Sequence, residues 1–155
     1  MNRKQIRGMR CSVARALSAV GDRWTVLILR EAFLGVKRFE VFRERLSIAR
    51  NILTSRLREL VRDGILQKTR YQDKPERFEY RLTEKGTALY PVLVTLMAWG
   101  DQWMDDGLGP PILLVHQPCE HVLAPVVTCA HCGQLVAPRE VRTVAGPGLA
   151  ARAGV

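Results

Sequence analysis

The chain has 155 residues, enough for one well-formed core with a small appendage and too few for two full-sized enzyme domains. Hydrophobic residues make up 47% and charged residues 25%, a balance that excludes wholesale disorder. The formal charge of +9 is concentrated at one end: Met1 to Arg62 carries 15 Lys/Arg against 5 Asp/Glu, and the rest carries 9 against 10. A one-sided positive field favours a polyanion, either nucleic acid or an anionic membrane surface.

The opening MNRKQIRGMR is basic, but no apolar stretch of signal-peptide length follows it. No run approaches the ~20 apolar residues that span a bilayer, so a cytoplasmic protein is expected. Small and apolar residues from Cys11 to Val20 predict a short helix. Gly21 and Asp22 interrupt it, and Trp24 to Phe33 reads as a second, strongly apolar helix. In RFEVFRERL, Phe39, Phe42 and Leu46 fall at i, i+3 and i+7, the spacing of one buried helical face. Ser47, Ile48 and Ala49 form a short connection to NILTSRLRELVRDG, which carries Leu53, Leu57, Leu60 and Val61 and ends at Gly64, a suitable C-cap. Two short helices with so brief a connection outline a helix-turn-helix.

Beyond Gly64 the period changes. ILQKTRY and RFEYRLT are rich in β-formers and flank the polar QDKPE, which predicts a hairpin with a charged tip. Thr83 can N-cap a following helix in which Leu89, Val92, Leu93, Leu96, Trp99, Gly100 and Trp103 recur at spacings of three and four, with a kink expected near Pro91. The fold class expected is mainly α with a small β-hairpin wing: a winged helix-turn-helix with a long dimerisation helix and a small C-terminal Cys/His extension. The corresponding boundaries are 10–107 for the DNA-binding and dimerisation domain, 108–143 for the extension and 144–155 for a flexible tail rich in Gly and Ala.

Projected at about 100° per residue, the helix from Asn51 places Asn51, Thr54, Ser55, Arg58 and Arg62 on one stripe opposite its leucines, with Glu59 and Asp63 to the side. A solitary amphipathic helix with such a stripe is usually an ordinary solvated face. Here a preceding short helix, a tight turn, local positive charge and a hairpin with Lys74 and Arg77 near its tip favour a helix in the major groove and a wing on the backbone. Arg side chains suit guanine and Asn suits adenine, and Arg50, just ahead of the helix, would meet a phosphate. Such binding requires no cofactor.

The runs from Cys11 to Leu66 and from Tyr80 to Trp103 resemble the HxlR family of bacterial winged-helix regulators, distant relatives of the MarR group. The resemblance covers about Arg10 to Trp103. It rests on Cys11, Gly21 with Trp24, RFxxFxxxL from Arg38 to Leu46, IxxxxLxxRLxxLxxxGIL from Ile48 to Leu66, and YxLTxxG from Tyr80 to Gly86. It implies a homodimer that binds a palindromic or near-palindromic operator in double-stranded DNA, and a sequence-specific transcriptional regulator that acts as a repressor is the function expected. The tryptophans and aliphatics of the last long helix exceed what a domain of this size needs to cover its core, which gives dimerisation support of its own.

Four cysteines in a reducing compartment point to metal or redox chemistry more than to a disulfide framework. Cys11 lies beside Arg10, and positive neighbours raise a thiol's reactivity. It reads either as a redox-sensing residue, as in some relatives, or as a small buried core residue. In HQPCEHVLAPVVTCAHCGQL, the set Cys119, His121, Cys129 and Cys132, with His116 as an alternative imidazole, could hold a structural zinc. The ten-residue separation is tight for a zinc ribbon, in which each ligand pair has its own hairpin, so a free or redox-active dithiol stays open. With no nucleophile motif and no phosphate loop, an enzyme is not expected. The alternatives to an operator-binding regulator are a thiol- or metal-based sensor and a protein-interaction adaptor, and a small-molecule or oxidant effector fits the first.

Overall fold

The computed structural model describes residues 3–150, and the chain divides into two compact units, 1–93 and 94–155. The first unit runs α1 (Arg3–Arg7), α2 (Ser12–Val20), α3 (Arg23–Phe33), α4 (Phe39–Leu46), α5 (Arg50–Arg62), β1 (Leu66–Gln72), β2 (Arg77–Leu82) and α6 (Glu84–Thr87). Helix α1 falls in the basic opening, which carries no apolar period to announce it. The break expected at Gly21 and Asp22 is a capped helix start: the Asp22 carboxylate accepts from the backbone N–H groups of Trp24 at 3.1 Å and Thr25 at 3.2 Å.

The core gathers one apolar face from each of α3, α4 and α5 and the start of β1. Ile28, Phe42 and Leu53 are fully buried, and Leu57, Leu60, Ile65 and Leu66 nearly so, with Trp24, Phe39, Tyr80 and Leu82 packed around them. A buried acid joins this apolar seam at its edge. Glu31 is 4% exposed, and its carboxylate accepts from Arg30 at 2.7 Å and from Arg45 at 3.0 Å, tying the last turn of α4 to α3. Between α4 and α5, Ser47 adopts a left-handed conformation with φ 48°, which turns the chain sharply enough for α5 to begin three residues later.

Helix α5 ends in a Schellman motif: Ile65 N–H donates to the Leu60 carbonyl at 2.9 Å and Gly64 N–H to that of Val61 at 3.0 Å, with Gly64 at φ 68°. That turn feeds directly into an antiparallel ladder pairing Leu66 with Leu82 and Arg70 with Phe78, with an irregularity between Arg70 and Gln72. The segment before α4 extends the ladder, because Tyr80 N–H donates to the Lys37 carbonyl at 2.8 Å and Arg38 bridges to Glu79. Thr83 locks the base. Its hydroxyl donates to the Gly64 carbonyl at 2.7 Å and accepts from Gly86 N–H at 3.1 Å, the N-cap expected from the sequence.

Periodicity predicts one helix from Glu84 onward with a kink near Pro91; the structure breaks it outright. After α6 come turn residues Ala88 and Leu89, and then α7 spans Tyr90–Trp103 with Pro91 in its first turn, where a missing N–H leaves no helical bond unmade. The second unit holds the remainder of α7, the two-residue strands β3 (Val115–His116) and β4 (His121–Val122), a short 3-10 turn at Pro138–Glu140 and one helical turn, α8, at Pro147–Ala150. Among its described residues after Trp103 none is buried. Of the tail expected to be flexible, residues 151–155 lie outside the described residues.

Gly86 shows why the YxLTxxG pattern needs its glycine. A Cβ there would lie 2.2 Å from the Ile65 carbonyl oxygen and 3.1 Å from a Leu82 methyl, and backbone cannot yield as a flexible side chain can. Gly86→Ala is therefore expected to destabilise the protein by about 1–3 kcal/mol, read as a lower urea midpoint at unchanged slope. Gly100→Ala, in helix α7 with open space around it, should leave the midpoint unchanged or raise it. Equal midpoints for Gly86→Ala and the parent chain would contradict this account.

Candidate nucleic-acid interface

Burial of three leucines fixes the rotation of α5 about its axis. Leu53, Leu57 and Leu60 are at most 1% exposed, so the opposite side, Asn51, Thr54, Ser55, Arg58 and Arg62, faces solvent. The flanking acids are held away from that stripe. Glu59 accepts from Arg56 at 2.8 Å and pairs with Arg3 at 3.1 Å, and Asp63 pairs with Arg3 and Arg62. Arg3, on the helix that the sequence gives no signal for, also donates to the Ser18 carbonyl, so α1 clamps α2 to the end of α5.

The stripe is not uniform in how far its groups are committed. Among the described residues nothing pairs with the side chains of Asn51, Ser55 or Arg58, whereas Thr54 donates back to the Arg50 carbonyl at 2.8 Å. Arg50, expected to lie just ahead of the helix, is its first residue. Its guanidinium sits 2.6 Å from the Glu40 carboxylate and 5.2 Å from the Phe39 ring centre. Glu40 is a feature that helix-by-helix reading misses, because it lies on α4 and meets Arg50 only once the turn is formed.

The wing carries a second basic surface. Lys74 and Arg77 are exposed and, among the described residues, free of ion pairs, whereas Arg70 is held by Asp73 and Glu76 beneath the tip. Two further cations stack on wing aromatics: Lys68 Nζ lies 3.6 Å from the centre of Phe78, and Arg38 lies 5.0 Å from that of Tyr71. Burial pushes the Tyr80 phenol up from its ordinary pKa, so it stays protonated under the ladder. Donors on α5 and cations on the wing are the groups that phosphate oxygens and base edges accept from.

The cysteines fall into separate places. Cys11 is exposed just ahead of α2, so the reading as a buried core residue does not hold; its neighbours Ala14 and Ser18 occupy the buried face instead. In the second unit, His116 Nδ1 lies 3.2 Å from Cys119 Sγ, while His121, the imidazole first paired with Cys119, turns its Nδ1 to the Cys119 carbonyl. Cys129 and Cys132 form the other pair. Backbone N–H groups of Cys132 and then His131, followed by the Cys132 thiol, point at Cys129 and lower its thiol pKa. Among the described residues no three His, Cys, Asp or Glu side chains converge closely enough to hold a metal, so the set Cys119, His121, Cys129 and Cys132 is not assembled.

Residues 19–107 match the model of the HxlR-like helix-turn-helix family, more than half of the chain. The chain is 48% identical over 141 residues to an uncharacterized HTH-type transcriptional regulator of Mycobacterium tuberculosis, covering 91% of this chain and 89% of that one. It is 38% identical over 96 residues to the uncharacterized HTH-type transcriptional regulator YdeP of Bacillus subtilis, covering 61% and 75% respectively. Among solved structures it is similar to PA1607, classed as a candidate transcription factor, with a TM-score of 0.82 and 34% identity over 90% of this chain and 98% of that one. The redox regulator HypR in its oxidized form aligns with a TM-score of 0.57 and 36% identity over 61% of this chain and 99% of that one. These relatives are regulators and not enzymes, and no helix among the described residues is long and apolar enough to cross a membrane. The exposed donor stripe on α5, the wing beside it and this match together identify the chain as a member of the HxlR-like helix-turn-helix family of DNA-binding transcriptional regulators.

Proposed function

We propose that two copies of this chain bind a palindromic operator in the cytoplasm and repress transcription, each laying α5 in the major groove with its wing on the adjacent backbone. The observation that carries this reading is the acid-free exposed stripe on α5, in which Arg58 and Asn51 have no partner among the described residues and are free to meet base edges. Arg50, Arg62, Lys74 and Arg77 suit phosphates, and Thr54 and Ser55 add hydroxyls. Residues 10–107 constitute the DNA-binding and dimerising part and 108–143 a separate extension.

Dimerisation draws its support from α7. Val92, Leu96, Trp99 and Trp103 are each more than half exposed and recur at spacings of four, three and four, one continuous apolar stripe. A second copy of the same stripe is self-complementary about a two-fold axis, the symmetry that a palindrome presents. A second reading, in which an oxidant acts on the exposed Cys11, draws on the likeness to a regulator described as a redox regulator.

Arg58→Ala should cost about 1–3 kcal/mol on the operator and relax its sequence preference, whereas Arg50→Ala should weaken operator and random DNA alike and reduce the salt slope by about one. Fluorescence anisotropy over a salt series with random competitor separates the two, and equal losses on both DNAs for both variants would remove Arg58 from base reading. Glu40→Gln leaves Arg50 unneutralised and takes a negative charge from the surface. It should tighten binding to every DNA sequence, by up to about 1 kcal/mol at low salt, with the gain fading as salt rises. Weaker binding by that variant would show that Glu40 serves to hold Arg50 in position.

Paired substitution of Leu96 and Trp99 by Glu should dissociate the dimer in sedimentation at micromolar concentration and lower operator affinity, each residue costing about 2 kcal/mol or more at a buried interface centre. A parent chain that sediments as a monomer would exclude the dimer.

A further inference from the structure

The extension contains two copies of one small device. In the first, β3 and β4 pair Val115 with Val122 and His116 with His121, and the connecting turn carries Cys119 and Glu120. The His116 carbonyl accepts from Cys119 N–H at 3.1 Å and Glu120 N–H at 2.9 Å, and Glu120 takes the left-handed conformation at φ 57°. In the second, Thr128 bridges to Leu135, Val136 N–H donates to the Val127 carbonyl at 3.0 Å, and the turn carries Cys129 and Cys132. The Cys129 carbonyl accepts from Gly133 N–H at 2.8 Å, and Gly133 takes the left-handed conformation at φ 72°.

The two turns correspond position by position at an offset of 13 residues: His116 to Cys129, Cys119 to Cys132, Glu120 to Gly133. Each is a tight turn that brings a ligand at i and a ligand at i+3 to one side and leaves in a left-handed residue. This is the local conformation by which a C-x-x-C pair grips a tetrahedral metal. A non-glycine residue at positive φ is costly, and Glu120 tolerating it argues that the turn's shape matters more than its ease. The sequence alone makes a ten-residue separation look too tight for a separate hairpin per pair, but strands of only two residues or a single bridge are short enough to allow it.

We infer that His116, Cys119, Cys129 and Cys132, with His116 in place of His121, are the four ligands of one zinc ion that joins the two hairpins.

The spacing suits the ion within the His116–Cys119 pair, and because the two pairs do not converge among the described residues, the hairpins must close on the metal to complete the set. With Zn–S near 2.3 Å and Zn–N near 2.0 Å, a tetrahedron has an N···S edge of about 3.5 Å, and His116 Nδ1 already lies 3.2 Å from Cys119 Sγ. His116 holds the position that Cys129 holds in the second turn and turns its Nδ1 to the Cys119 thiol, whereas His121 turns its Nδ1 to the Cys119 carbonyl. The hairpins also need a staple. Val115, Val122, Val126, Val127 and Leu135 are all more than half exposed, so among the described residues no buried apolar core holds the two together or resists their closing on a metal. Three thiolates and one imidazole form a soft set that selects zinc over magnesium or calcium, and each thiol surrenders its proton to solvent on binding.

The full chain, stripped with a chelator, reduced and held without oxygen, is titrated with Co²⁺ alone as a spectroscopic stand-in and then with Zn²⁺ in competition. The expected result is about one metal per chain with the visible absorption of tetrahedral thiolate cobalt, displaced by zinc. His116→Ala, Cys119→Ser, Cys129→Ser and Cys132→Ser should each abolish that band or weaken cobalt binding by at least tenfold, while His121→Ala should match the parent chain. His116 and His121 are cross-strand partners in the same two-residue ladder, so a difference between their variants cannot be assigned to loss of the hairpin. No tetrahedral band in the reduced parent chain, a stoichiometry of one metal per two chains, or loss of the band on His121→Ala with retention on His116→Ala would each overturn the assignment.

Discussion

The face that α5 turns to solvent, the one proposed to meet DNA, is set by burying Leu53, Leu57 and Leu60 against α3 and α4. Each leucine removed from water contributes about 2 kcal/mol, and a rotation of the helix by even one residue's angle would expose one of them while burying an arginine. The polar stripe is therefore aimed by apolar forces on the far side of the helix. The secondary contacts reinforce the same setting: Glu31 anchors α4 through Arg45, and Arg3 pins the C-terminal end of α5 through Glu59 and Asp63.

Charge on this surface is arranged as much by what is neutralised as by what is left bare. An excess of arginine in the first 62 residues suggests a uniformly positive face. The structure instead sorts the cations, with Arg30, Arg45, Arg56 and Arg70 committed to carboxylates and Arg58, Lys74 and Arg77 left without them among the described residues. Long-range attraction depends on the sum, but recognition depends on the groups still free to form new hydrogen bonds.

Much of the first unit was legible in the sequence because its signals are local. Leucine spacing marks α5, the Thr83 hydroxyl marks the start of α6, and the change from helical to alternating period after Gly64 marks the wing. What escaped is non-local. Helix α1 is held by Arg3 reaching residues some sixty positions away, and the Glu40–Arg50 pair forms across the turn of the motif; neither leaves a periodic trace. Pro91 was read as a kink where the chain breaks and restarts, since a proline is equally at home in the first turn of a new helix. In the extension, spacing does not separate His116 from His121, because what distinguishes them is which ring the hairpin leaves facing the Cys119 thiol.

The wing is fastened from its base, where the Thr83 hydroxyl bridges Gly64 to Gly86, along one side, where Lys37 meets Tyr80 and Arg38 meets Glu79 and Tyr71. Its tip, residues 73–76, is mechanically independent of the core: it can grow or shrink without disturbing a single buried residue, because doubling a loop adds only about 0.6 kcal/mol of closure entropy. In the proposed complex, insertion and deletion at this one spot would retune how far along the duplex the wing reaches, while the bases read would be altered separately on α5. Reach and reading become two dials that mutation can turn one at a time.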